Sequence, residues 1–193
     1  GYLAENPWEP VEMASVAADV ELIEERRTAR IVGLRLSKDA AHRGEEVTAF
    51  VRFQPFKSPQ VVEREAVLKV PELAAADAHV GVIACDALTS AAVSRRLAPG
   101  RFRPTNFEQL VRILEDYPSG DELAVRVARP GAGITMDGDA LPGLPRSVGE
   151  VIAGAPWTGL EPMRDDVVLR VKTPWILSGS AVLSLRVKSD EEP

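Results

Sequence analysis

Residues 27–54, RTARIVGLRLSKDAAHRGEEVTAFVRFQ, constrain this chain more than any other stretch. In the second half, Val47, Ala49, Val51 and Phe53 alternate with Thr48, Phe50, Arg52 and Gln54. In the first, Val32, Leu34 and Leu36 share one parity, and Ala29, Ile31 and Gly33 share the other. A period of two over this length is the pattern of a half-buried strand, because successive side chains leave a strand on opposite faces. The intervening SKDAAHRGEE is polar and holds Gly44, which can take the positive φ that a tight turn needs. Two strands cannot stand alone in water, so the rest of the chain must supply strands that cover them.

Further strands are predicted on the same grounds. Residues 11–25 carry Val16, Ala18, Val20 and Leu22 against Ala17, Asp19 and Glu21. Alanine and glutamate make a helix the competing reading there, but the alternation runs straight into the hairpin and favours a strand. Residues 61–70 and 79–87 continue the series, the first stopped by Pro71 and the second placing Val80, Val82 and Ala84 in phase. Five strands at short intervals, separated by turn residues, predict a β-sandwich. Residues 1–10, with two prolines and Trp8, read as an extended lead-in whose tryptophan docks on the domain edge.

The pattern changes after residue 88. Residues 90–97 predict a short helix ended by Pro99 and Gly100. Thr105 and Glu108 have capping-box spacing, and Phe107, Leu110, Val111 and Leu114 form the apolar stripe of a second helix. Residues 122–128 predict a strand with Leu123, Val125 and Val127 inward, and the Gly/Pro-rich stretch that follows predicts loop with one short strand near Ile134. Another capping box, Ser147 to Glu150, predicts a short helix, and two closing strands lie around 167–172 and 181–187. The expectation is a mainly β protein: an immunoglobulin-like β-sandwich over 11–88, followed by a smaller α+β subdomain over 101–188.

Charge and composition narrow the function. With 23 basic and 29 acidic residues the net charge is −6, which disfavours nucleic acid as the main partner, since that contact is made chiefly by Lys and Arg. No apolar run approaches the ~20 residues that span a bilayer, so no transmembrane segment is predicted. The chain begins at Gly1 rather than Met, which suggests a processed or excised segment of something longer.

Catalytic chemistry finds little support. His42 falls in the charged hairpin turn and His79 before a strand, and neither stands beside an evident nucleophile. Cys85, the only cysteine, lies in an apolar run without basic neighbours and reads as a structural thiol. Met136-Asp137-Gly138-Asp139 has the look of part of a calcium loop but lacks the glutamate that would close one. Residues 177–180 lack the pattern of a nucleophile elbow. The reading therefore names no catalytic residue, no cofactor and no metal ligand. Trp8, Trp157 and Trp175 sit beside prolines or in loops and are the candidate partner contacts, because large aromatics carry much interface energy.

Several segments together, ENPWEPVEM, ARIVGLRLSKDAAHRGEEVTAFVRFQPF, RFRPTNFEQLVRILED, GDALPGLPRSVGEVI and ILSGSAVLSLRVK, resemble the region that follows the peptidase domain in bacterial SpoIVB-type serine peptidase domain-containing proteins. In that family the catalytic serine and histidine belong to the upstream domain, and no position here matches them. The resemblance implies an extracytoplasmic, periplasmic or secreted, β-rich module. The function expected is non-catalytic: a protein-interaction or structural module with a protein partner or self-association, possible as a subunit of an envelope or extracellular assembly. The alternative is an accessory, substrate-positioning domain of such a peptidase.

Overall fold

The computed structural model describes residues 3–72, 74–144, 148, 151 and 159–189. The fold is mainly β, with two sheets whose inner faces feed one hydrophobic core.

The hairpin is its centre. β1 (Thr28–Leu36) pairs antiparallel with β3 (Glu46–Pro55). Val47, Ala49, Val51 and Phe53 are all buried, as their alternation predicts. β1 explains its own mixed parity. A register shift between Ile31 and Gly33 puts Ala29 and Ile31 in the core on one side, and Leu34 and Leu36 on the other. Val32, which shares the parity of Leu34, lies at the irregularity and is 41% exposed. One extra residue flips the phase of everything beyond it. The connecting loop is less uniformly polar than expected, because β2 (Ala40–Ala41) forms within it and Ala41 is fully buried. Gly44 takes φ 71°, as the turn requires.

β4 (Val62–Lys69) pairs with β3 and forms one edge of the first sheet, whose order is β4-β3-β1-β9. β9 (Ile176–Ser178) comes from the far end of the chain and runs parallel to β1, matching Thr28 with Ile176 and Arg30 with Ser178. This corrects the reading of residues 11–25. No strand forms over 10–23, and its alternating side chains are exposed. The place beside β1 that a preceding strand would occupy is taken by β9.

Gly179, at φ 90°, turns β9 into β10 (Ser180–Val187) and so carries one strand from the first sheet into the second. The second sheet has the order β2-β10-β5-β6-β7, with β5 (His79–Cys85), β6 (Glu122–Met136) and β7 (Asp139–Leu141); β8 (Leu160–Lys172) pairs with β6 along its length. β6 is twice as long as the short strand expected over 122–128. It runs through the Gly/Pro-rich stretch with a register shift between Arg129 and Ala132. β5 hydrogen-bonds β10 on one side and β6 on the other, so strands from 28–85 and from 122–187 interleave across the boundary expected near residue 100.

α1 (Ala87–Leu97) and α2 (Phe107–Glu115) follow β5 in the chain. α1 begins three residues before the expected start because Asp86 caps it, its Oδ1 accepting from Thr89 N–H at 2.7 Å. Asp86 Oδ2 also accepts from Gly179 N–H at 2.6 Å, tying the helix start to the turn between the sheets. α2 is capped by Asn106 rather than by Thr105: Asn106 Oδ1 accepts from Gln109 N–H at 2.9 Å. Thr105 Oγ1 instead donates to the Asp137 carbonyl. The capping box Ser147–Glu150 lies outside the described residues. Among the described residues no helix is long and apolar enough to cross a membrane.

Candidate functional site

The three tryptophans have separate fates. Trp8 is 38% exposed and sits in a turn built by Asn6, whose Oδ1 accepts from the N–H groups of Trp8 (3.0 Å) and Glu9 (2.8 Å). Trp175 turns inward, packing on the core with its ring centroid 6.2 Å from that of Phe53. Trp157 lies outside the described residues.

The other residues weighed for chemistry are parts of turns and core. His42 belongs to the hairpin turn, where its N–H donates to Glu45 Oε2 at 2.7 Å. The Lys38 ammonium and this N–H together hold the Glu45 carboxyl below the usual carboxylate range. His79 opens β5 at the far end of the strand from Asp86, which caps α1. Cys85 is fully buried, and desolvation pushes its thiol up to about 11, far from a reactive thiolate. Asp137 (φ 49°) and Gly138 (φ 87°) are the two central residues of the β6–β7 hairpin, with Met136 opposite Asp139. This is the Asp-Gly turn that suits the twist of paired strands. Among the described residues no three His, Cys, Asp or Glu side chains converge on one point.

The notable concentration of functional groups is on the outer face of the second sheet, where residue parity alone was silent. On β6, Leu123, Val125 and Val127 enter the core, so Ala124 and Arg126 face the other way. Arg126 is only 2% exposed. Its Nε donates to Asp166 Oδ2 on β8 at 2.5 Å, its Nη1 to the Ser90 carbonyl (2.9 Å) and Oγ (2.7 Å), and its Nη2 to Ser94 Oγ at 3.0 Å. One guanidinium thus pins α1 onto the sheet. Gln109, also buried, fixes α2: its Nε2 donates to the Asp137 carbonyl at 2.8 Å, and its Oε1 accepts from Thr105 N–H at 2.8 Å.

Between these two anchored helices lies an open groove of about 310 Å³. Four arginines line it: Arg95 from α1, Arg101 from the 3₁₀ turn 99–102, Arg112 from α2 and Arg170 from β8. Its two lining carboxylates are partly engaged. Asp116 pairs with Arg101 at 2.7 Å, and Asp139 lies 3.7 Å from Arg112. Arg170 donates to the Asp116 carbonyl at 2.9 Å, and Arg95 lies 5.8 Å from the Phe102 ring centre. Neither Arg95 nor Arg170 has a carboxylate partner among the described residues. Phe102, Ile113 and Pro118 supply apolar wall. Arg112 also lies 3.7 Å from Glu108, so the positive excess of the lining rests on Arg95 and Arg170, in a protein whose net charge is −6. The chemistry offered is recognition of an anionic group with apolar neighbours, since guanidinium forks match carboxylates geometrically.

Sequence reasoning missed this groove because its arginines are scattered from position 95 to position 170 and form no basic run. Comparison with family models, with curated proteins and with solved structures returned no match to this chain.

Proposed function

We propose that this chain is a non-catalytic protein-interaction or structural module, framed by an immunoglobulin-like β-sandwich, that acts outside the cytoplasm as a subunit of an envelope or extracellular assembly. The extracytoplasmic setting rests on the resemblance to SpoIVB-type peptidase proteins. The observation that carries the interaction reading is the arm formed by residues 10–23. Met13, Val16, Val20 and Leu22 are 76–94% exposed, on a segment that has the alternating sequence of a strand but forms none. Isolated exposed side chains are ordinary, but a strand-patterned segment with its whole apolar face in water is built to be covered by something else. One edge of the folded body, in contrast, is charged: β4 carries the exposed Glu63, Arg64, Glu65 and Lys69, which discourage unselective strand pairing.

The test uses two measurements on the purified chain. Light scattering with and without residues 1–25 asks whether the arm drives association, and casein hydrolysis asks whether the segment cleaves peptide bonds. Arm-dependent association without cleavage is expected. A monomer that hydrolyses casein would overturn the reading.

A further inference from the structure

We propose that the arginine groove between α1 and α2 is the receptor for the acidic arm of a second copy of this chain, an inference that rests on the interaction reading above. Residues 9–25 contain six acidic side chains, Glu9, Glu12, Asp19, Glu21, Glu24 and Glu25, and no Lys or Arg. The groove presents the opposite charge and, in Arg95 and Arg170, two guanidiniums without a carboxylate of their own among the described residues. The arm pattern fits both kinds of wall. In an extended chain Asp19 and Glu21 point to one side and Val20 and Leu22 to the other. Carboxylates can then meet the guanidiniums while the apolar pair meets Phe102, Ile113 and Pro118.

One alternative receptor within the fold, the β4 edge, is electrostatically neutral. Its Glu63 and Glu65 offset Arg64 and Lys69, and Arg35 already pairs with Glu63 at 3.3 Å. An arm with six carboxylates gains little there and gains most where positive charge is in excess.

The root of the arm connects through β9 to the segment that follows the groove residue Pro118. The Arg27 carbonyl accepts from Ile176 N–H (2.9 Å), and the next residue of β9, Leu177, donates to the Gly120 carbonyl (3.0 Å), two residues past the groove residue Pro118. Even so, the arm stands away from its own body, with Val20 and Leu22 exposed at 88% and 94%. An arm whose root is tied through β9 to the segment next to Pro118, and whose own apolar side chains stay exposed, is free for exchange between two copies, each filling the other's groove. Such exchange closes a pair with two-fold symmetry.

A charge-swap experiment on the full chain tests this. Arg95→Glu/Arg170→Glu reverses the groove, and Asp19→Lys/Glu21→Lys reverses the arm. All four side chains are exposed, so circular dichroism should show an unchanged fold. By analytical ultracentrifugation, wild type is expected to self-associate, and less so as salt rises. Each double variant alone should lose about tenfold or more in association constant. An equimolar mixture should regain it, because the reversed arm suits the reversed groove and the two wild-type elements suit each other. If groove reversal leaves association at wild-type strength while removal of residues 1–25 abolishes it, the groove assignment is wrong and the interaction reading stands. A monomer whose arm amides are protected from hydrogen exchange would overturn the second copy in favour of the chain's own arm. A monomer with an unprotected arm would overturn the inference and remove the self-association reading with it.

Discussion

Arg126→Met is the substitution that most directly tests how the groove is built. The wild-type guanidinium is 2% exposed and its partner Asp166 13% exposed, so solvent screens this pair little. The substitution conserves an apolar stem of similar length but leaves the Asp166 carboxylate without its cation. It also removes the donors to the Ser90 carbonyl, Ser90 Oγ and Ser94 Oγ. The serine hydroxyls can rotate to other partners; the buried carboxylate cannot. Removing one member of a buried pair costs about 3–5 kcal/mol, mostly as the penalty on the charge left behind. With a urea m-value of about 2 kcal/mol/M, the unfolding midpoint should fall by roughly 1.5–2.5 M. Arg126→Met/Asp166→Leu removes both charges and should recover most of the loss, because replacing a buried pair by apolar groups is often neutral. Urea unfolding followed by circular dichroism measures both variants. The reasoning fails if the single substitution costs less than about 1 kcal/mol, or if the double is no more stable than the single. Since α1 is one wall of the groove, the single variant should also weaken association even under conditions where it remains folded.

Three further outcomes follow from individual contacts. Asp86→Ala removes both the cap of α1 and the acceptor for Gly179 N–H, and thermal melting should show a loss of about 2–3 kcal/mol. Asp86→Asn, which keeps a cap acceptor, should lose less. Cys85 should react with Ellman's reagent only after denaturation. Its folded-state pKa of about 11 lies above that of an unfolded thiol, so its contribution to stability is complete below roughly pH 8.5 and is lost as pH climbs towards 11. Cys85→Ala should therefore flatten the alkaline limb of the stability–pH curve. Glu45 behaves oppositely: its folded-state pKa is lowered by Lys38 and the His42 N–H, so its contribution is present above the ordinary carboxylate range and is lost as pH falls through and below that range. Glu45→Gln should make the protein measurably less sensitive to acid in a pH series of melting curves.

The division between what could and could not be read from the residues follows the range of the physics involved. Face assignment is local. Val47, Ala49, Val51 and Phe53 are buried because alternation alone puts them on one side of a strand, and Leu123, Val125 and Val127 obey the same rule. Pairing is not local. Residues 16–22 have as good an alternation as β3, yet they stay unpaired, because β9, about 150 positions further on, holds the place beside β1. A period specifies which side of a strand would be buried; it does not specify which strand arrives. The same limit hid the groove. Arg126 alternates with the core residues of β6 and so reads as a solvent-facing charge, and only the arrival of α1 and Asp166 over that face makes it a buried anchor. The features illegible in order of sequence are therefore of one kind: an apolar arm without a neighbour and a set of guanidiniums brought together by long connections. Each is conspicuous because it breaks a local rule, exposed apolar alternation in one case and concentrated positive charge on an acidic protein in the other. Two such departures with complementary chemistry are more economically explained by each other than by two unrelated partners.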